Sequence, residues 1–100
     1  MAERLVSIEG IIKDSISHCV DLCSSRTTTE ITLSRPNVED VVLWIEGRHR
    51  IDVGERVRAY VDPRCDGVRA VLEGRRTKCP FERYDIINSD REVIYSAESS

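Results

Sequence analysis

Long hydrophobic runs are missing from this sequence, and it has only five aromatic residues and five glycines in 100 positions. No apolar run approaches the ~20 residues that a transmembrane helix needs. The first ten residues, MAERLVSIEG, lack the long apolar region of a secretory signal. We therefore expect a cytoplasmic protein with no membrane partner.

Motifs that indicate catalysis are missing as well. The chain has no glycine-rich loop that would cradle a phosphate and no Cys-x-x-Cys redox motif. His18 and Cys19 are adjacent in sequence, but a nucleophile and its base must be brought together by the fold. His49 lies between two arginines and is expected at the surface. We predict that the protein is not an enzyme and needs no cofactor.

What remains is the composition of an ordinary globular domain. The chain is 40% hydrophobic and 33% charged, which is too apolar for a disordered protein. It has no internal repeat, low-complexity run or linker. We expect one domain over residues 1–100.

The net charge of −3 is unevenly distributed. Residues 48–83 hold ten basic and six acidic side chains, a balance of +4, whereas the two flanks together carry −7. Nine of the ten basic residues are arginine, the side chain that binds phosphate through a planar fork and stacks on bases. This middle region favours a nucleic-acid partner, and the alternative is a solvated sheet face with cross-strand ion pairs.

The stretch Ile51–Pro63 organises the predicted fold. A Gly-Glu pair predicts a tight turn, and beyond it Val57, Ala59 and Val61 alternate with polar residues, as in a half-buried strand. Pro63 cannot donate a hydrogen bond to a sheet and is expected to end this strand.

Other segments show the same alternation. Gly10 marks a place where the first strand is expected to bulge or bend. We predict strands over 4–13, 27–33, 39–46 and 68–72 and a terminal hairpin from 84–88 and 92–95, with irregular chain over 14–26 and 74–80. No segment longer than a turn has helical periodicity, so the predicted fold class is all-β.

The shared alternation of these strands also predicts the core. Residues of one parity face inward along each strand. The predicted core consists of Val6, Ile8, Ile31, Leu33, Val41, Leu43, Ile45, Val57, Ala59, Val61, Val68, Ala70 and Leu72.

Five strands, a long first loop and the motif Val53-Gly54-Glu55-Arg56-Val57-Arg58 before strand four resemble an OB-fold domain of the type that binds single-stranded nucleic acid. The resemblance covers roughly residues 5–73. One departure is the connection between strands three and four, where Gly47–Ile51 leaves no room for the helix that OB-folds often carry there. The resemblance implies a small five-stranded OB-like barrel over about 4–73, with residues 74–96 as an extension that adds the C-terminal hairpin.

The resemblance further implies a binding face over strands two and three, between the first loop and the loop after strand four. Trp44 is the expected stacking platform, and arginines are expected to contact phosphates. Arg58 and Arg69 should be cross-strand neighbours if strands four and five pair. The predicted nucleic-acid-binding residues are Thr32, Val42, Trp44, Arg48, Arg58, Tyr60, Arg64 and Arg69.

Two alternatives to nucleic-acid binding stay open. In the first, the outer face of Trp44 makes apolar contacts: either Trp44 packs beneath the terminal hairpin, or Val42 and Trp44 form an apolar surface for a protein partner. In the second, the domain is stabilised by a metal. The resemblance brings the first loop near the loop after strand four, so that Cys19, Cys23, Cys65 and His18 would meet around zinc while Cys79 lies at the other end. Free thiols are the default in a reducing compartment, and a Cys19–Cys23 or loop–loop disulfide is a further possibility.

Overall fold

The structure is a computed structural model that describes residues 4–19, 26–65, 67–75 and 77–99. These residues form one sheet with the strand order β5-β3-β2-β1-β4-β6-β7. The strands are β1 (Val6–Cys19), β2 (Thr27–Ser34), β3 (Val41–Glu46), β4 (Arg56–Val61), β5 (Lys78–Pro80), β6 (Arg83–Ile87) and β7 (Val93–Glu98), and one short helix, α1 (Val68–Leu72), precedes β5. The predicted all-β class is confirmed.

The predicted turn into β4 forms at the expected place. Gly54 has a φ of 93°, a conformation that glycine adopts without steric cost. Its N–H donates to the Ile12 carbonyl at 2.8 Å, and the Ile12 N–H donates to the Glu55 carbonyl at 2.9 Å. These two bonds dock the turn on β1 and start β4 in register, with Val57, Ala59 and Val61 buried as predicted.

The first strand is longer than the sequence predicts. β1 continues to Cys19 and pairs with β2 from Ile11 to Cys19, so the prediction of irregular chain is wrong for residues 14–19. The register shifts between Ile12 and Asp14, which places the bulge beyond Gly10. Gly10 instead allows a close approach, because a Cβ there would lie 2.9 Å from the Ser34 carbonyl oxygen.

The predicted fifth strand is wrong. Residues 68–72 form α1, which buries Val68 and Val71. Those positions are three apart and therefore share a helix face, whereas Ala70 is only half-buried and Leu72 is 48% exposed. A five-residue segment with apolar side chains at 68, 70, 71 and 72 fits either periodicity, and alternation over so short a stretch does not distinguish a strand from a helix.

The strand that follows β3 in the sheet is β5, which pairs with it in parallel from Val42↔Lys78 to Trp44↔Pro80. Immediately after β5, at one edge of the sheet, the chain continues into β6, which lies near the opposite edge. The Phe81 N–H donates to the Trp44 carbonyl on β3 at 2.9 Å, and the Glu82 N–H donates to the Tyr60 carbonyl on β4 at 2.9 Å. The sheet is thus curled so that one corner of the chain touches both β3 and β4, although strand pairing does not close it.

The concave side of this curled sheet holds the core. Ten of the predicted core residues are buried, Val6 is half-buried, and the two misplaced ones belong to α1. The remaining core side chains are Ile12, Ile51, Val71, Cys79, Phe81, Tyr84 and Ile86. The predicted terminal hairpin is confirmed as β6 and β7, which pair antiparallel. No helix of the described chain is both long and apolar enough to cross a membrane.

Candidate functional site

The outer face of β2 and β3 carries the side chains that the core parity turns away from the interior. Ile31 and Leu43 are buried opposite each other. The alternation of a strand therefore turns Glu30 and its partner Trp44 outward. Trp44 is half-buried and its indole lines an open cavity, so it does not lie in a second core beneath the hairpin.

This cavity has a volume of about 770 Å³. The end of β1, the outer face of β2 and β3, the turn after β3 and the first residue of β5 all contribute to its wall. Its lining residues are His18, Cys19, Arg26, Thr27, Thr28, Glu30, Trp44, Glu46, Gly47, Arg48 and Lys78. We call it the Trp44 cavity.

Three cationic side chains line the Trp44 cavity, and two of them form ion pairs with carboxylates. Lys78 Nζ lies 2.6 Å from Glu30 Oε2, and Arg26 NH2 lies 2.9 Å from Glu46 Oε1. Arg48 is exposed and has no hydrogen-bond or ion-pair partner among the described residues. The guanidinium of Arg48 is thus the cation in this wall that is available to an anionic ligand.

The turn that presents Arg48 is built on a buried hydroxyl. Thr29 Oγ1 donates to the Gly47 carbonyl at 2.9 Å and accepts the His49 N–H at 2.9 Å. Gly47 has a φ of 96°, which lets the chain reverse at no steric cost. Because Thr29 is fully buried, these bonds fix the backbone on both sides of Arg48 and hold its side chain at the rim of the cavity.

The other predicted site residues, apart from Arg69, lie in three places. Thr32 and Val42 are paired across β2 and β3 and form the next outward-facing pair after Glu30 and Trp44. Arg58 and Tyr60 lie on β4, which is separated from β3 by β1 and β2 in the sheet order. Arg64 follows β4, where it bonds to Asp62 with NH2 2.8 Å from Oδ2.

Arg69 does not lie beside Arg58. The predicted pairing required residues 68–72 to be a strand, but they form α1, and β4 pairs instead with β1 and β6. Arg69 is highly exposed on α1 and lies 3.8 Å from Glu73. The predicted cross-strand stripe of Arg58 and Arg69 is therefore wrong.

Arg58 and Tyr60 belong to a second polar cluster. Arg58 NH2 lies 3.4 Å from Glu9 Oε1, and Arg91 NH2 lies 2.9 Å from Glu9 Oε2. The Arg83 guanidinium lies 4.4 Å from the centre of the Tyr60 ring, in a cation–π contact. These side chains are engaged with one another and tie β1, β4, β6 and the β6–β7 turn together.

The cysteines do not form the arrangement predicted for zinc in the described chain. Cys19, Cys65 and Cys79 are free thiols, and no group of three or more His, Cys, Asp or Glu residues in the described ranges is placed to hold a metal. Cys23 lies outside the described residues. Burial raises the pKa of Cys79 to about 11, with a smaller contribution from Cys65. Because Cys65 contributes to this shift, the two thiols lie near each other, and the prediction that Cys79 lies at the other end is wrong.

In comparisons with known proteins, no family model, curated protein or solved structure matches the chain. The Trp44 cavity must therefore be interpreted from its own chemistry. Trp44 and Arg48 were among the predicted site residues, whereas Glu30, which lies on the same strand face, was not. Lys78 was missed because a three-residue parallel strand has no alternation to reveal it.

Proposed function

We propose that the protein is a small OB-type module that acts in the cytoplasm and binds single-stranded nucleic acid in the Trp44 cavity. One observation carries this proposal: an open cavity joins the half-buried indole of Trp44 to the exposed guanidinium of Arg48, which has no partner among the described residues. An aromatic ring stacks on any base, and a guanidinium binds phosphate through its fork of N–H donors. A nucleotide satisfies both groups at once.

The topology supports an OB-type barrel that is partly open. β1 lies between β2 and β4, and β5 runs parallel to β3. Residues Phe81 and Glu82 bond to β3 and β4 respectively, which makes β5 and β6 act as one bent strand across the gap. We propose that β1 to β4 and this bent strand are the five strands of the barrel and that β7 is an addition. The Trp44 cavity then lies on the face of strands two and three, where OB-folds bind their ligands.

Binding is expected to be weak and to depend little on sequence overall. The chain carries a net charge of −3, and Glu30 and Glu46 already neutralise two of the cations in the cavity wall. Phosphate contacts from Arg48 carry no sequence information, and stacking on Trp44 tolerates every base. Affinity should fall as salt rises, with a log–log slope of about 0.7 for each phosphate contact.

A protein-interaction module is the second candidate. Ile16 on β1 lies directly opposite Glu30 in the sheet, is 48% exposed and shares the outer face with Trp44 and the half-buried Val42. Two apolar side chains beside one aromatic ring suit a partner that docks by apolar contact. Docking of this kind is much less sensitive to salt than phosphate binding is.

A binding titration separates these candidates. Trp44 is the single tryptophan, so its fluorescence reports stacking directly, and the anisotropy of a labelled oligonucleotide reports binding. We expect Trp44→Ala to cost about 1–3 kcal/mol of binding free energy. Arg48→Ala should reduce the slope of log K against log salt by roughly 0.7, the value for one phosphate contact on a single strand.

The matched control is Arg64→Ala. It removes the same charge from a residue that does not line the cavity and that is bonded to Asp62. Its salt slope should match that of the unmodified protein. Absence of binding at low salt would refute nucleic-acid recognition and leave the interaction module as the better account.

A further inference from the structure

Glu30 is the acidic side chain nearest in register to the proposed stacking platform. It lies directly opposite Trp44 in the β2–β3 ladder, where paired Cβ atoms are about 4.5–5.5 Å apart. Its side chain is 25% exposed and lines the Trp44 cavity. A base that stacks on the indole therefore turns one edge toward this carboxylate.

The two oxygens of the Glu30 carboxylate are in different situations. Oε2 lies 2.6 Å from Lys78 Nζ and 3.9 Å from His18 Nε2. Oε1 accepts no hydrogen bond from the described part of the chain. Lys78 thus anchors the carboxylate through one oxygen and leaves the other as an acceptor beside Trp44.

An ionised carboxylate only accepts hydrogen bonds. Cytosine and adenine present an amino group as donor at their pairing edge, and guanine also carries one, whereas thymine and uracil present a carbonyl oxygen where cytosine has its amino group. An amino group would donate a hydrogen bond to Oε1. A carbonyl oxygen at the same place would be repelled by the carboxylate, and it would lose its bound water without receiving a hydrogen bond in exchange.

We propose that Glu30 is a specificity-determining residue that makes the Trp44 cavity prefer a base with an exocyclic amino group to thymine or uracil. This inference rests on the proposed function and adds a preference at one base position. The remaining nucleotides are held by stacking and phosphate contacts that do not distinguish bases.

The experiment compares oligo-dC with oligo-dT of equal length, about ten nucleotides, at pH 7.5 and one salt concentration. Both carry the same phosphates, so their ratio of Kd values isolates the base. We expect dC to bind at least about tenfold more tightly, as one hydrogen bond to a charged group predicts. Glu30→Gln should bring the ratio close to one, because an amide can rotate to offer either a donor or an acceptor.

Glu46→Gln is the matched control, since Glu46 lines the same cavity and is paired with Arg26. It should change both affinities by the same factor and leave the ratio unchanged. A second measurement needs no mutation: an oligonucleotide of N4,N4-dimethylcytosine, which has no amino N–H, should bind the unmodified protein as weakly as dT does.

The outcomes are distinguishable. Equal binding of dC and dT to the unmodified protein, or a ratio that persists in Glu30→Gln or with the dimethylated base, would overturn the role of Glu30 and leave the proposed function standing. Failure of both oligonucleotides to bind at low salt would refute the proposed function and this inference with it.

Discussion

The Tyr60 hydroxyl donates a hydrogen bond of 2.8 Å to Asp85 Oδ2 across the β4–β6 pair. Ser96 Oγ on β7 donates to the other carboxylate oxygen at 2.7 Å. Asp85 is only 9% exposed, and a carboxylate in that position needs donors for both oxygens. The three side chains thus join β4, β6 and β7, which gives Tyr60 a structural role.

Removal of the Tyr60 hydroxyl should therefore lower stability and leave binding unchanged. We expect Tyr60→Phe to reduce the free energy of unfolding by about 1–2 kcal/mol, because it leaves one oxygen of Asp85 without its donor. Urea denaturation measures this loss, and oligonucleotide anisotropy checks the affinity. Tyr95→Phe is the control, since that ring is 53% exposed and its hydroxyl has no hydrogen-bond partner among the described residues. A severalfold loss of affinity in Tyr60→Phe would return Tyr60 to the binding site.

Parity predicted the strands that pair over long stretches with one buried face. Val57, Ala59 and Val61 are buried on one face of β4, which lies between β1 and β6. Because β4 has six residues, the alternation of buried and outward positions is visible in the sequence. The same argument failed for residues 68–72, where Val68, Ala70 and Leu72 fit the alternation of a strand but Val68 and Val71, three positions apart, share the buried face of a helix. It also failed for residues 14–19, because Ser15 and Ser17 are polar at the positions that share the parity of the core.

The connection from α1 to β5 depends on a glycine that no side chain could replace without cost. Gly74 has a φ of 83°, and an added Cβ would lie 2.6 Å from Val38 Cγ1. Gly54 has a similar φ of 93°, but a Cβ there would meet nothing within 4 Å. The two positions share the backbone strain and differ in the clash.

We expect Gly54→Ala to cost about 1–2 kcal/mol of unfolding free energy, the penalty of a left-handed conformation with a Cβ. Gly74→Ala should cost about 1–3 kcal/mol more, because Val38 must also move. Thermal or urea denaturation of the two variants side by side makes the comparison. Equal losses would show that Val38 yields freely and that the close packing of this connection is unimportant.

The candidate site could be predicted only in part from the sequence, because some of its residues are brought together by pairing between distant segments. Trp44 and Glu30 follow from the alternation of strands that were correctly predicted. Lys78 reaches the cavity through β5, and its pairing with β3 joins residues more than thirty positions apart. No local pattern encodes such a contact, so the partner of Glu30 could be found only from the fold.

Acid should weaken the cluster around Glu9. Burial raises the pKa of Glu9, but hydrogen bonds and charge from Arg91 and then Arg58 outweigh it and hold the pKa below the ordinary 4.5. A carboxyl group whose pKa is lowered by folding stabilises the folded state above about pH 4.5, and that contribution is lost as the pH falls through the folded-state pKa.

Glu9→Gln should therefore lower the free energy of unfolding at pH 7 by about 1 kcal/mol, the upper end for ion pairs that are partly exposed. The difference between Glu9→Gln and the unmodified protein should shrink as the pH falls from 4.5 to 3. Urea denaturation at pH 7, 4.5 and 3 measures it. Glu92→Gln changes the same charge at an exposed residue and should show a smaller difference at pH 7. A constant difference for Glu9→Gln at all three pH values would mean that the arginines do not act through its charge.

The rate at which each cysteine is alkylated tests which thiols lie in the Trp44 cavity, and the measurement needs no mutation. Cys19 is exposed and lines the Trp44 cavity, whereas Cys79 is buried and its pKa is raised to about 11 by burial and by Cys65. The thiolate is the reactive species, so at pH 8 iodoacetamide should modify Cys19 well before Cys79. Peptide mass spectrometry distinguishes the cysteines from one another.

An oligonucleotide seated against Trp44 covers the wall that contains Cys19. We expect saturating oligonucleotide to slow the labelling of Cys19 at least severalfold and to leave that of the half-buried Cys65, which does not line the cavity, unchanged. Trp44→Ala should reduce the protection at the same oligonucleotide concentration, because it weakens binding. If oligonucleotide binds but Cys19 stays as reactive as before, the ligand lies elsewhere, and the β4 cluster around Arg58 becomes the surface to test.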